Sequence, residues 1–501
     1  MKKILLCLFL LYNLSSIAQS NLYPIQDSLF LDYLQDNYPE TIVNDSLDVN
    51  ATTNITYLNI SGEGITSLDG IQFFNNLDTL LCSDNQLTSL PELPDNLKHL
   101  DCSSAYNFLN EITILPELPD NLEYLDCSRN DLISLPELPD NLKYLDCSRN
   151  ELISMPVLPA NLNYLDCSGS SSSTGGAPQN ISILPELPIS LTELRCSYNQ
   201  LTSMPELPEN LTYLSCGGNQ LTSLPELPLG LNELQCDYSE LTILPDLPNG
   251  LRELGVSDNQ LTSLPTLPDS LRFLWFFSNE LTSLPILPDS LKNLNCDGNL
   301  LTSLPTLPDS LIELSCNGNL LTSLPELPEG LLVLWCSHNQ LTNLPLLPNS
   351  LEYLYCSNNE LTAFPNVSEN NINWTLYENP FECTYDEVYM SSLPICDSVG
   401  CTDIQACNYS SSVFINDNES CVFAEMYYDC EGNCFNDIDS DGICDELDYD
   451  DAIGILEIDT ENSKLIKVID ILGREQNIES NKDVLLFYIY ENGKVIKRIN
   501  H

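Results

Sequence analysis

From residue 77 to residue 361 the chain repeats one phrase about every twenty residues, typified by Leu142-Lys-Tyr-Leu145-Asp-Cys147-Ser-Arg-Asn150-Glu-Leu152-Ile-Ser-Met155-Pro156-Val-Leu158-Pro159. A unit this short cannot bury an apolar face by itself, so each must stack on its neighbours, and a fixed period of this length means a solenoid. Such a stack grows in one dimension, and its 501 residues do not imply several globular domains. Counted by their opening residue, from Ile55 and Leu77 to Leu351, the units number fifteen. A degenerate unit near Ile372 is expected to close the stack.

Within each unit the run Leu-x-x-Leu-x-Cys alternates, which predicts a short strand with the second Leu and the Cys facing inward. The third and fifth positions then face outward from a parallel sheet. The Asn that follows, as in Asn130, Asn150 and Asn259, has an amide able to bond the backbone of the next turn. Leu-Pro-x-Leu-Pro makes the return leg, and prolines three residues apart favour an extended, polyproline-like path with almost no helix.

This pattern resembles the leucine-rich repeat, most closely its twenty-residue bacterial class. The resemblance implies a horseshoe solenoid over residues 55–375, with the parallel sheet on the concave face and a mostly extended convex face. The chain departs from the pattern where Ala105 to Glu111 adds five residues, where Ser170 to Asn180 adds nine, and where Ala105 and Ser239 stand in place of Asn. The first unit, Ile55 to Asn76, has Gly70-Ile71-x-x-Phe74 in place of the proline leg and is similar to the internalin class. Ahead of it, in residues 19–54, apolar residues at Leu29, Phe30, Tyr33 and Leu34 have a helical spacing over Asp27 to Tyr38 that would cover the open end of the stack. Residues 376–400 are expected to cap the other end.

The first 18 residues read as a secretory signal: Lys2 and Lys3, the apolar run Ile4 to Leu11, then Ser16 and Ala18. No later apolar run is long enough to span a bilayer. The expected product is secreted or held at the outer cell surface. A formal charge of −56 excludes a nucleic-acid binder, which needs clustered Lys and Arg. It suits a surface that attracts cationic partners and repels its own copies.

The 21 cysteines comprise Cys7 in the signal, twelve at one inward position of the repeats, and eight between 383 and 444. Val256 and Phe276 fill the repeat slot in two units, so that slot asks for a buried apolar group. The last eight sit in an exported stretch poor in core residues and read as disulfides. Cys383 and Cys396 are expected to pair, and Cys401, Cys407, Cys421, Cys430, Cys434 and Cys444 leave fifteen connectivities open.

Within a spacer spanning 401–450, Asp437, Asp439, Asp441, Asp445 and Asp448 place oxygen ligands at loop positions 1, 3, 5, 9 and 12, with Gly442 at 6 and the Ile443 carbonyl at 7. Calcium takes six to eight hard oxygens, so this loop is expected to hold a structural calcium ion. It resembles an EF-hand loop without flanking helices, as in thrombospondin type 3 repeats, with Asp448 shorter than the usual Glu. Seven of the seventeen basic residues follow Ile455, among strand-like runs at 465–472, 484–490 and 495–499. Residues 455–501 resemble the C-terminal sorting domain of type IX secretion cargo, which implies an address read by export machinery.

Two zones stand out on the expected concave face. Asp101, Asp126, Asp146 and Asp166 form a row of carboxylates flanked by Tyr124, Tyr144 and Tyr164, with Arg129 and Arg149 as partial counter-charge. Farther on come Phe273, Trp275, Trp335, Tyr353 and Tyr355. Exposed aromatics on a curved sheet point to capture of an extracellular protein or glycan. Other readings are a structural calcium-binding surface element or an enzyme of the repeat-containing effector type. Against an enzyme, His99, His338 and His501 are too scattered to form a catalytic set.

Overall fold

The computed structural model describes residues 21–104, 110–170, 180–362 and 373–381, together with five strands between 399 and 500. It divides into one unit of Met1–Leu361 and Val367–Pro380 and another of Thr362–Asn366 and Phe381–His501. The signal segment and both insertions, 105–109 and 171–179, lie outside the described residues.

The first unit holds a parallel sheet of sixteen strands in strict chain order, from Tyr57–Asn59 to Asn373–Thr375. Each strand has three residues and pairs in register with the strand of the adjacent coil, as Tyr144, Leu145 and Asp146 pair with Tyr164, Leu165 and Asp166. The chain is a leucine-rich repeat solenoid, with the degenerate unit at Ile372 contributing the last strand. The strand ends one residue before the cysteine, which lies buried at the following bend.

The interior repeats coil by coil. In the coil opened by Leu142, the residues Leu142, Leu145, Cys147 and Leu152 are fully buried. At about 25 cal/mol per Å² of apolar surface removed from water, these shared rows are the main force holding one coil on the next. All twelve repeat cysteines are buried free thiols, and Val256 and Phe276 are equally buried in the same slot. Burial pushes the thiols of Cys102 and Cys147 well up, so these two are protonated apolar fillers.

Two hydrogen-bond ladders satisfy the backbone at the bends. Asn150 accepts from Leu132 N–H at 3.0 Å and donates to the carbonyls of Cys127 at 3.0 Å, Cys147 at 3.1 Å and Ser148 at 3.3 Å. The amide therefore reaches back to the preceding coil, whereas the sequence suggested the next. Its neighbour Arg149 is left-handed (φ 55°), and the same position is left-handed in most coils between Asp84 and Glu378. This reversal turns the Asn inward. Glycine occupies it at only a few coils, among them Gly218, where a Cβ would meet the Tyr198 ring at 2.5 Å.

The insertion at 105–109 does not break this ladder. Asn110 replaces the missing Asn at Ala105, accepting from Leu87 N–H at 3.0 Å and donating to the Cys102 carbonyl at 3.3 Å. Ser239 does leave a gap: there the Cys236 thiol faces the Cys216 carbonyl at 3.9 Å. The second ladder runs through the residue before each opening Leu. Asn141 donates to the Asp120 carbonyl at 2.9 Å, and Ser310 to those of Asp289 and Leu291 at 2.6 and 2.7 Å.

The return legs are extended, and each opening Leu N–H from Leu97 onward bonds back to the last proline carbonyl, as Leu142 does to Pro139 at 3.1 Å. In the first coil the leg holds a 3-10 turn, Ile71–Phe73, with Ile71 and Phe74 buried.

The N-terminal end is covered by helix α1 (Ser28–Asn37) and by β1 (Leu22–Pro24), β2 (Ile42–Val43) and β3 (Ser46–Asp48), paired antiparallel in the order β1-β3-β2. Phe30 and Leu34 are buried, but Leu29, expected on the covered face, is 45% exposed. Asp27 holds the cap down. One carboxylate oxygen accepts from Leu29 and Phe30 N–H, both at 2.9 Å, and the other from Thr66 N–H at 2.7 Å and its hydroxyl at 2.6 Å. Burial pushes this carboxyl up, but the hydrogen bonds from Thr66, Phe30 and Ser67 outweigh it and hold the group below the usual carboxylate range.

In the second unit, Leu465–Ile469, Val484–Tyr490 and Val495–Asn500 form a three-stranded antiparallel sheet, in agreement with the hairpin expected from the sequence.

Candidate functional site

Because the second strand residue is buried in each coil from Leu58 to Leu354, the first and third face away from the core and line one outer surface of the sheet. The in-register pairing stacks like on like. Tyr124, Tyr144 and Tyr164 form a column with ring centroids 4.2 and 4.3 Å apart and planes within 8° of parallel. His99, which the sequence reading set aside as scattered, extends the column, its ring 3.9 Å from Tyr124. It occupies the first strand position of its coil, so its place was open to alignment of the repeats.

Beside the column, Asp101, Asp126, Asp146 and Asp166 follow one another in register. Each Oδ1 accepts from the serine two residues on: Ser103 N–H at 3.0 Å, Ser128 at 3.0 Å, Ser148 at 2.9 Å and Ser168 at 2.8 Å. Burial first, and then the charge of the next aspartate, pushes the carboxyls of Asp126 and Asp146 up to about 6. Asp166 is raised by burial too, while Ser168 and the positive charges of Arg195 and Arg149 work against the rise. The row ends at Arg195, in register with Asp166. Its guanidinium is 2.6 Å from Glu193 Oε1 and lies over the Tyr213 ring, 4.4 Å from the centroid.

The second predicted zone does not form one cluster. Phe273 and Trp275 pair within one strand at 5.7 Å, and Trp335 pairs with Tyr355 across two strands at 6.2 Å. Between these pairs the same outward row carries Asn295 and Ser315. Tyr353 is the most open of the five residues at 38% exposure. A shallow cavity beside it is lined by Leu332, Asn349, Glu352 and Asn373.

The predicted calcium ligands Asp437, Asp439, Asp441, Ile443, Asp445 and Asp448, and the cysteines 383, 396, 401, 407, 421, 430, 434 and 444, lie outside the described residues. Among the described residues no three His, Cys, Asp or Glu side chains converge to hold a metal ion, and no helix is long and apolar enough to cross a membrane.

Neither a protein-family profile nor a curated protein sequence matches the chain. Solved structures do. YopM of Yersinia pestis, described as a leucine-rich effector protein, is 36% identical, with a TM-score of 0.57 over 64% of this chain and 88% of that one. YopM of Yersinia enterocolitica WA-314 is 35% identical, with a TM-score of 0.51 over 62% and 75% of the two chains. The functional domain of InlJ from Listeria monocytogenes is 24% identical, with a TM-score of 0.48 over 64% and 71%. With about a third of the aligned residues identical across 75% and 88% of the two Yersinia chains, and a coil built at each repeat, the protein belongs to the leucine-rich repeat family.

Proposed function

We propose that this is an exported binding protein that grips an extracellular protein or glycan on the outer face of its sheet. The observation that carries the reading is the composition of that face. Aromatic and acidic side chains occupy outward positions coil after coil, where packing of the stack requires neither. Aromatic groups bury large area at small entropy cost when a partner docks, which makes them the usual anchors of an interface. The likeness to YopM, an effector, is consistent with a protein whose repeats meet a partner.

The flanking segments serve export and placement in this reading. Residues 1–18 direct secretion, the loop 437–448 takes a structural calcium ion, and the tail 455–501 addresses the chain to type IX machinery. The three-stranded antiparallel sheet at 465–500 supports a compact tail module of that kind.

The test is capture by the immobilised full-length protein from a glycan array and from a panel of purified extracellular proteins. Replacing Trp275 and Trp335 together by Ala is expected to weaken capture about tenfold or more. Capture unchanged in that variant, or no capture by the parent protein, overturns the reading.

A further inference from the structure

We infer that the sheet face from His99 to Tyr213 is a docking surface for an arginine-rich protein segment. This rests on the sheet face being a binding surface, and it assigns one chemistry to one part of it.

The first argument is charge complementarity. Asp101, Asp126, Asp146 and Asp166 are in register on four adjacent strands. Each spends one oxygen on the serine two residues ahead, and the second oxygen has no hydrogen-bond partner among the described residues. The open oxygens recur at about 4.8 Å, the spacing of neighbouring strands. They do not converge, and no three acidic groups there share a point that an ion could occupy. An extended row of this kind fits cations that arrive one after another on a chain.

The second argument is the state of the aromatic column. Its rings lie face to face at 3.9 to 4.3 Å, so the interior faces are already covered by neighbouring rings. A sugar that stacks on an aromatic needs an open face. The column instead carries three tyrosine hydroxyls on the same sheet face as the carboxylates, and hydroxyl and carboxylate oxygens can both accept from N–H donors.

The third argument is Arg195. It stands where the four preceding coils carry aspartate, next in register to Asp166. Its Nε and Nη2 reach Glu193 Oε1 at 2.7 and 2.6 Å while the guanidinium covers Tyr213. The row thus ends in a guanidinium of the chain's own, held by carboxylate and tyrosine. A planar fork that both pairs and stacks is a property of arginine that lysine lacks.

The experiment measures binding of fluorescein-labelled oligoarginine and oligolysine peptides to the full-length protein by fluorescence anisotropy at physiological salt. Oligoarginine is expected to bind about fivefold or more tightly than oligolysine. The pair Asp126→Asn and Asp146→Asn, close in shape and expected to fold, should weaken oligoarginine about tenfold or more. Glu206→Gln with Glu226→Gln removes the same charge from the exposed return legs and should change affinity by less than about twofold. Arg195→Ser, which removes a like charge from the row, should strengthen binding by about two- to threefold.

Equal losses in the two double variants would mean attraction to the overall charge of −56 and would overturn the inference. Equal binding of the two peptides would do the same. Capture that depends on Trp275 and Trp335 but persists while oligoarginine binding fails sinks this inference alone and leaves the broader reading standing.

Discussion

The coils opened by Leu97, Leu122, Leu142 and Leu162 and those opened by Leu271 through Leu351 present the same two outward positions on one sheet, yet build different surfaces. In the first set the same residue types return in successive coils, and an in-register parallel ladder converts that repetition into a continuous column of rings and a continuous row of carboxylates. In the second set the residue changes from coil to coil, from Trp275 through Asn295 and Ser315 to Trp335, and the rings meet only in pairs. Repetition acts with opposite sign on the two chemistries. Each added ring gains a stacking contact, and each added carboxylate gains a like-charged neighbour. A column of aromatics therefore stabilises the stack that its companion row of acids destabilises, and the balance leaves charge available to a partner.

Substitutions can break or sharpen this contrast. The interior is common to both sets, so Leu145→Ala and Leu314→Ala should each cost about 3–5 kcal/mol in denaturant unfolding, and unequal costs would mean that the two sets differ below the surface as well. Relief of the acidic row is expected to be the next largest effect. The pair Asp126→Asn and Asp146→Asn should stabilise the protein by about 2–4 kcal/mol at pH 7.5.

The sign follows from the carboxyls standing near 6 in the fold against 3.8 ordinarily. Protonation of these two aspartates favours the native state, a contribution fully present below 3.8 and lost as pH rises through 6. The gap between variant and parent should thus close as the pH falls through that window. A gap independent of pH would show that repulsion in the row is not its source.

Asn150→Ala removes an amide that serves two coils and should cost about 2–3 kcal/mol by the same denaturation. Tyr144→Ala loses a ring on both faces and should cost about 1–2 kcal/mol, more than Trp335→Ala, whose ring has a single aromatic partner. If the tryptophan costs as much, stacking in the column adds nothing. The smallest effect is expected for Cys147→Val, under about 1.5 kcal/mol, since valine already fills that slot at position 256.

Several particulars of this arrangement could be read before any fold was known. The cysteine slot was recognisable as a packing position because Val256 and Phe276 occur in it, and a closing unit was expected near Ile372, where Trp374 takes the place of Leu354 twenty residues on. Other particulars were not readable. That Asn150 bonds the coil behind it depends on the left-handed turn at Arg149, which places the amide inside the stack. That Asn110 takes over for Ala105 depends on the chain returning to phase after five extra residues. Leu29 had a helical spacing like that of Phe30 and Leu34, but the helix has a narrow covered face and leaves it 45% exposed. His99 was missed for a different reason: it was weighed as one histidine among three, when its phase in the repeat already aligned it with Tyr124.

The sequence by itself determined the solenoid, the inward rows and the extended return legs, because a twenty-residue period with apolar residues at fixed phases has no other way to bury them. Only the tertiary structure decided which outward side chains act together. Residues twenty or more positions apart become neighbours through the register of the sheet, and that register set rings 4.2 Å apart in one set of coils and only paired them in another. The period records where a side chain stands within its own coil. The contact it makes depends on what the adjacent coil brings to the same place.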